Sequence, residues 1–217
     1  KHFLPQPLKL IPGRKYARDR RADILHVKLD VTPDFAKRTI SGTATLRFKP
    51  IALPLEKLEL DAVDLEIASI TAVGAQVAEH QVTEDKLIIT FAKAIAPDAE
   101  ASVNVTYSAV QPDHGLYFRT PEMGYKAGDT QVWSQGEATE TRAWVPTYDA
   151  PNDKTTWEFL FTADSQFQVI SNGKLVDVTP INGGAERVWH WSQTKPASTY
   201  LYSVVIGPFA ILKDQWR

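Results

Sequence analysis

Two runs of alternating residues constrain this chain more than any other feature. In ADILHVKLDV, which begins at Ala22, Leu25, Val27, Leu29 and Val31 fall on one side, with Ile24, His26, Lys28 and Asp30 on the other. In TISGTATLRF, Ile40, Gly42, Ala44, Leu46 and Phe48 share one side. A strand sends successive side chains to opposite faces, so a period of two describes half-buried strands. A turn at Thr32–Lys37 would join the two into a hairpin. Similar short runs follow at hairpin spacing: LEKLELD, VDLEIASITAV, KLIITF, ASVNVTYSA, GLYFR, QVWSQ, TWEFLFTA, FQVISN, GKLVDV, RVWHWSQ and STYLYSVVIGPF. Gly, Pro, Asn and Asp separate them, with Ser171-Asn172-Gly173 and Asn182-Gly183-Gly184 as strong turn signals. No segment holds a helical apolar period for about 12 residues. One short helical turn is expected near Ala138–Trp144. The fold class that follows is all-β, an antiparallel β-sandwich or saddle of many short strands.

The chain has 217 residues, 43% of them hydrophobic, enough for one packed core. No fixed repeat or low-complexity linker divides it. The expected organisation is an extended arm over residues 1–21, docked in part by Phe3, Leu4 and Leu10, then a single β domain over 22–212. Residues 213–217 would begin a linker. The 24 basic and 26 acidic residues nearly cancel, which gives no basis for nucleic-acid binding. The longest apolar runs fall well short of the ~20 residues of a membrane helix, so no membrane insertion is expected. Cysteine is absent, which rules out disulfides and thiolate metal sites. It leaves the compartment open between cytoplasm and a periplasmic or secreted location after signal removal.

Catalytic signatures are missing. No two of the five histidines are four apart, and HExxH does not occur. GxSxG and glycine-rich phosphate loops are absent too. His26 and His190 alternate with apolar neighbours and read as ordinary strand positions. Among the tryptophans, Trp189 and Trp191 share a strand face, while Trp133, Trp144 and Trp157 are scattered. Core or interface packing explains them better than a sugar platform, although a carbohydrate-binding module stays open as a reading. The densest polar constellation is WSQGEATETRAWVPTYDAP at 133–151, with Gln135, Glu137, Glu140 and Arg142 close together. On residue types alone it could be a solvated turn with a weak local ion pair.

Five ordered segments change that reading. LHVKLDV with KRTISGTATLRF, then GLYFRT, then SQGEATETRAWVPTYDAPNDKTTWEF, then VISNGKLV, then the KPASTYL run ending in VVIGPF together resemble the N-terminal domain of the M1 zinc aminopeptidases, across roughly residues 22–212. That group contains aminopeptidase N and leukotriene A4 hydrolase. Thr147 stands where the family often has Cys, and Ala150 where it often has Glu. The resemblance implies a substrate-binding set of Gln135, Glu137 and Ala138. Glu137 would receive the α-amino group of a peptide, and Gln135 would line the pocket for its first side chain. It also implies a cis peptide at Glu137–Ala138. Arg142, Asp149 and Lys154 are assigned to structure, Arg142 through a nearby carboxylate and Asp149 through a turn. No residue here is assigned a catalytic or metal-ligating role, and no cofactor is expected in this chain. The zinc, HExxH and distal glutamate would belong to a catalytic domain beyond FAILKDQWR. The expected partners are that catalytic domain and the N-terminus of a peptide substrate. An exposed mixed patch is expected around Gln135–Trp144, where the domain would dock. A non-catalytic scaffold for protein–protein contacts is the alternative the same resemblance allows.

Overall fold

The computed structural model describes residues 18–212, 214 and 215, so the expected docking of Phe3, Leu4 and Leu10 lies outside the described residues. Alternating runs form strands where one face can be buried. The opening hairpin comprises β1 (Ala22–Asp34) and β2 (Thr39–Pro50). It turns at 35–38, a tighter reversal than expected, where the Lys37 amide donates to Asp34 Oδ1 at 2.9 Å and Arg38 adopts φ 54°. The chain continues through β3 (Leu55–Asp61), β4 (Leu65–Val73), β5 (Val77–Val82), β6 (Lys86–Ile95) and β7 (Ala101–Val110). Then come β8 (Leu116–Arg119), β9 (Gln131–Ser134), β10 (Thr155–Asp164), β11 (Gln168–Ser171), β12 (Lys174–Ile181), β13 (Glu186–Ala197) and β14 (Val204–Gly207).

These strands make three sheets. A seven-stranded sheet runs β12-β13-β10-β1-β2-β7-β4, a four-stranded sheet β11-β14-β9-β8, and a three-stranded sheet β3-β6-β5. Every pairing is antiparallel except β1 with β10, where His26 lies opposite Thr156 and Val31 opposite Phe161. The inward residues of all three sheets form one apolar cluster, including Val27, Leu46 and Phe159 of the large sheet, Leu60 and Ile89 of the three-stranded sheet, and Val132 and Ile206 of the four-stranded sheet. The smaller sheets therefore cover the large one, and the all-β expectation holds.

Two local readings need correction. A register shift between Ile24 and His26 turns Ile24 inward, so Ile24 is 2% exposed while Leu25 is only half-buried. The bulge lets two residues face one partner residue, which a strict period of two cannot represent. Strand β5 was not among the expected runs. Among the tryptophans, Trp144, Trp157 and Trp189 are buried, and Trp133 and Trp191 are half-covered.

Candidate functional site

The segment after β9 leaves the four-stranded sheet. Gln135 continues the strand, its amide donating to the Gly115 carbonyl at 2.9 Å. The peptide between Glu137 and Ala138 is cis. A single 3-10 turn, Thr141–Ala143, follows, shorter than the helical turn expected. Gln135, Glu137, Ala138 and Thr139 are exposed. Gly136, Thr141, Ala143 and Trp144 are buried, so the exposed patch stops at Thr139, and Trp144, 1% exposed, belongs to the core. No ion pair or side-chain hydrogen bond among the described residues engages Gln135 or Glu137.

A rigid frame holds this exposed tip. Gly136 sits against the next layer so closely that a Cβ would fall 2.8 Å from Tyr200 Cα and 2.8 Å from Thr141 Oγ1. The Gly136 carbonyl accepts from the Glu140 amide at 2.9 Å. Glu140 then reaches back to the start of β8, where its Oε2 accepts from the Gly115 amide at 3.2 Å and from the Tyr117 hydroxyl at 2.9 Å. Burial, followed by this bond to Glu140, raises the Tyr117 hydroxyl above its ordinary pKa. The carboxylate of Glu140 is thus a strut, whereas Glu137 is exposed with no ion pair or side-chain hydrogen bond among the described residues.

Behind the tip lies a buried ionic hub. Arg142 bonds Asp149 three times, from its amide and Nε to Oδ2 at 3.1 and 3.3 Å and from Nη2 to the Asp149 carbonyl at 2.8 Å. The Thr199 hydroxyl donates to Asp149 Oδ1 at 2.6 Å. Asp149 is therefore a buried acceptor and not an open turn residue. Burial pushes its carboxyl above the usual range against the pull of Thr199 and Arg142. Asp61 closes the hub. It accepts from Arg18 at 2.6 and 3.0 Å, from Lys86 at 2.5 Å and from the Asp149 amide at 2.7 Å, with Arg142 Nη1 at 3.5 Å. Its backbone bridges to Thr147, and the Val63 amide donates to the Arg142 carbonyl at 3.1 Å. The Tyr107 hydroxyl donates to the Trp144 carbonyl at 2.8 Å and ties the segment to β7. Sequence reasoning expected a carboxylate beside Arg142 without naming it, read Asp149 as a turn residue, and missed Asp61 and Thr199. Asp61 ends the strand run LEKLELD with no motif around it, and Thr199 is one hydroxyl in a turn.

Histidine chemistry does not converge here. His26 Nε2 and His190 Nε2 lie 3.7 and 2.7 Å from the two carboxylate oxygens of Glu158, across β1, β10 and β13. Burial lowers the His26 pKa. Among the described residues, no group of three or more His, Asp or Glu side chains is placed to hold a metal ion. Clefts of about 250 Å³ beside Arg18 and Leu58 and of about 220 Å³ beside Val63 and His114 do not include Gln135 or Glu137. The candidate residues stand on an open rim, which can make one wall of a site and not an enclosed pocket.

Residues 23–201 match the Peptidase M1 N-terminal domain family. The chain belongs to that family. It is 27% identical over 189 residues to a leucine aminopeptidase 2 of Candida glabrata, an alignment covering 85% of this chain and 28% of the relative. It is 31% identical over 116 residues to transcription initiation factor TFIID subunit 2 of Gallus gallus, covering 52% of this chain and 10% of that protein. The fold also matches an M1 zinc metallopeptidase of Deinococcus radiodurans, with TM-score 0.74 and 22% identity, over 87% of this chain and 42% of that one. This chain thus spans less than a third of the curated relatives' lengths. No helix among the described residues is long and apolar enough to cross a membrane.

Proposed function

We propose that this chain is the substrate-anchoring domain of an M1 zinc aminopeptidase, with residues 22–212 as its one folded unit. The observation that carries the reading is Glu137, an exposed carboxylate without a cation partner among the described residues, held on a tip that Gly136, Glu140 and the Asp61–Asp149 hub keep rigid. A peptide α-amino group is a cation near neutral pH, and a positioned carboxylate receives it through a charge-assisted hydrogen bond. Gln135, exposed two residues before Glu137, borders the first side chain of the peptide in this reading. Its neutral amide tolerates several side chains. Ala138, small and exposed, leaves space beside the amine. Holding the amine at a fixed point sets which bond reaches the reacting centre, a gain of positioning.

The described residues of this chain do not make a zinc site, so no chemical step is assigned to them. In this reading zinc and the general base belong to a second domain of the same polypeptide, and the domain described here is inactive by itself. Glu137→Gln in the polypeptide expressed to its natural stop codon is the test. Loss of a hydrogen bond to a charged group, worth about 1.5–3 kcal/mol, lowers kcat/KM for aminoacyl substrates about 10- to 150-fold, mostly through KM. Unchanged KM overturns the anchor assignment.

The similarity to a transcription initiation factor subunit favours a second reading, a scaffold for protein–protein contacts. A natural polypeptide without aminopeptidase activity on any aminoacyl substrate, with zinc present in excess, would favour the scaffold. The carbohydrate-binding reading loses ground because Trp144, Trp157 and Trp189 are core residues.

A further inference from the structure

The two Asn-Gly dipeptides that mark turns in the sequence, Asn172-Gly173 and Asn182-Gly183, sit in different surroundings in the fold. Asn-Gly is prone to deamidate, because glycine has no side chain to keep its backbone nitrogen away from the asparagine side-chain carbonyl. That nitrogen attacks Cγ, and the new N–Cγ bond closes a five-membered succinimide. The Cγ–Nδ2 bond breaks, and the side-chain nitrogen leaves as ammonia with the proton that the glycine amide gives up. One water then opens the imide at either carbonyl, leaving aspartate or isoaspartate.

At Asn172 both ends of the side-chain amide are engaged. Its Nδ2 donates to the Leu201 carbonyl at 2.9 Å, and its Oδ1 accepts from the Ser203 amide at 2.6 Å. Beside them the Ser171 hydroxyl donates to the Ser203 carbonyl at 2.7 Å. The following backbone is fixed too. A Cβ on Gly173 would fall 2.2 Å from the Ser192 carbonyl oxygen of β13. Ring closure at Asn172 requires two hydrogen bonds to break and the backbone to lift off a strand.

Asn182 stands in the turn between β12 and β13, where residues 182–185 are all exposed. Asn182 has φ 50° and Gly183 φ 67°. A Cβ added at Gly183 or Gly184 would meet no atom within 4 Å, so nothing packs on that side of the attacking nitrogen. Among the described residues, one hydrogen bond reaches the Asn182 side chain, from its Nδ2 to Glu186 Oε2. The carbonyl end is open to attack.

We propose that Asn182 is a deamidation site of this protein, that Asn172 is shielded by its clamp, and that the product at 182 loosens the edge strand β12. Aspartate or isoaspartate at 182 removes the donor to Glu186 and sets a second carboxylate beside it. Isoaspartate also adds one methylene to the main chain, inside a turn whose register pairs Ile181 with Glu186. β12 ends the seven-stranded sheet with β13 as its neighbour, so no second strand compensates on its outer edge.

Trypsin separates the two positions, since Asn172 lies in the peptide 155–174 and Asn182 in the peptide 175–187. The second peptide has no other asparagine and no glutamine, so conversion of amide to acid there reports Asn182 alone. The polypeptide expressed to its natural stop codon is aged in the folded state at mildly alkaline pH and followed by peptide mass mapping. Fragment ions place any change within 155–174. Asn182 is expected to convert about tenfold or more faster than Asn172, because two hydrogen bonds must open first at Asn172. In urea the gap is expected to collapse, because the clamp is gone. Equal conversion in the folded polypeptide, or none at either position, overturns the proposal. So does a gap of the same size in urea, which would place its cause in the neighbouring sequence. Asn182→Gln, which would need a larger ring, is expected to keep its amide. Hydrogen exchange of the β12 amides is expected to be faster in the aged parent than in equally aged Asn182→Gln. Equal exchange overturns the loosening of β12.

Discussion

At the scale of single residues, the candidate site depends on what a neighbour forbids as much as on what it offers. Gly136 is the clearest case. A methyl group there would meet the Tyr200 backbone oxygen at 2.9 Å and Thr141 Oγ1 at 2.8 Å, so the tip must shift to admit it. Gly136→Ala is expected to lower stability by about 1–3 kcal/mol, the usual cost of overpacking, read as a shift of the urea midpoint at constant slope. The same variant should weaken substrate binding, because the tip that carries Glu137 moves with it. An unshifted midpoint would show that the contact is slack. Glu137 makes the complementary point. Its substitution should leave the urea midpoint within about 0.5 kcal/mol of the parent, since an exposed side chain away from special features contributes little to folding. Position 137 thus bears on binding without stability, whereas position 136 bears on both.

At the scale of elements, the hub around Asp61 joins parts of the chain that no local pattern connects. It ties the end of β3 to the segment that carries the tip, and adds Lys86 from β6 and Arg18 from before β1. Asp61→Ala leaves three cations beside an empty buried position and is expected to cost about 3–5 kcal/mol in a denaturant titration. A loss below about 1 kcal/mol would mean that water reaches the hub and screens it. What the sequence made legible follows the same division. Strands whose alternation reflects burial, such as β2 and β10, were readable because apolar side chains recur at every second residue. Strand β5, sequence VAEHQV, was not, because five of its six residues are exposed and only Val77 packs against the core, beside the backbone pairing to β6. The bulge at Leu25 was hidden because it changes the phase of the pattern without changing its composition. Gln135, Glu137 and Ala138 were singled out only through resemblance, since an exposed carboxylate looks the same in a binding tip and in a solvated turn.

For the whole molecule, stability carries a pH dependence from one buried acid. Burial pushes the Asp153 carboxyl up to about 6 from an ordinary 3.8, against the pull of Arg20 and the Ile24 amide. A raised carboxyl pKa means that the folded state prefers the neutral acid. Its favourable contribution is complete below about 3.8 and is lost as pH rises through about 6. Asp153→Asn imitates the neutral form at every pH. The difference in Tm, variant minus parent, is therefore expected to be more positive at pH 7.5 than at pH 4, by thermal denaturation in matched buffers. A difference that stays constant across that range would show Asp153 to be ordinarily acidic. The one parallel pairing among the described residues bears on time as well as on architecture. β1 finds its second neighbour in β10, where Thr156 Oγ1 lies 2.8 Å from a His26 ring nitrogen across a separation of 130 residues. A ribosome adding about 5–20 residues per second needs roughly 6–26 s to cover that interval. Through that wait the nascent hairpin of β1 and β2 exposes an open strand edge and an unshielded apolar face. The chain is therefore vulnerable to misassociation during the interval in which its β1–β2 hairpin is complete and the β10 partner is not yet made.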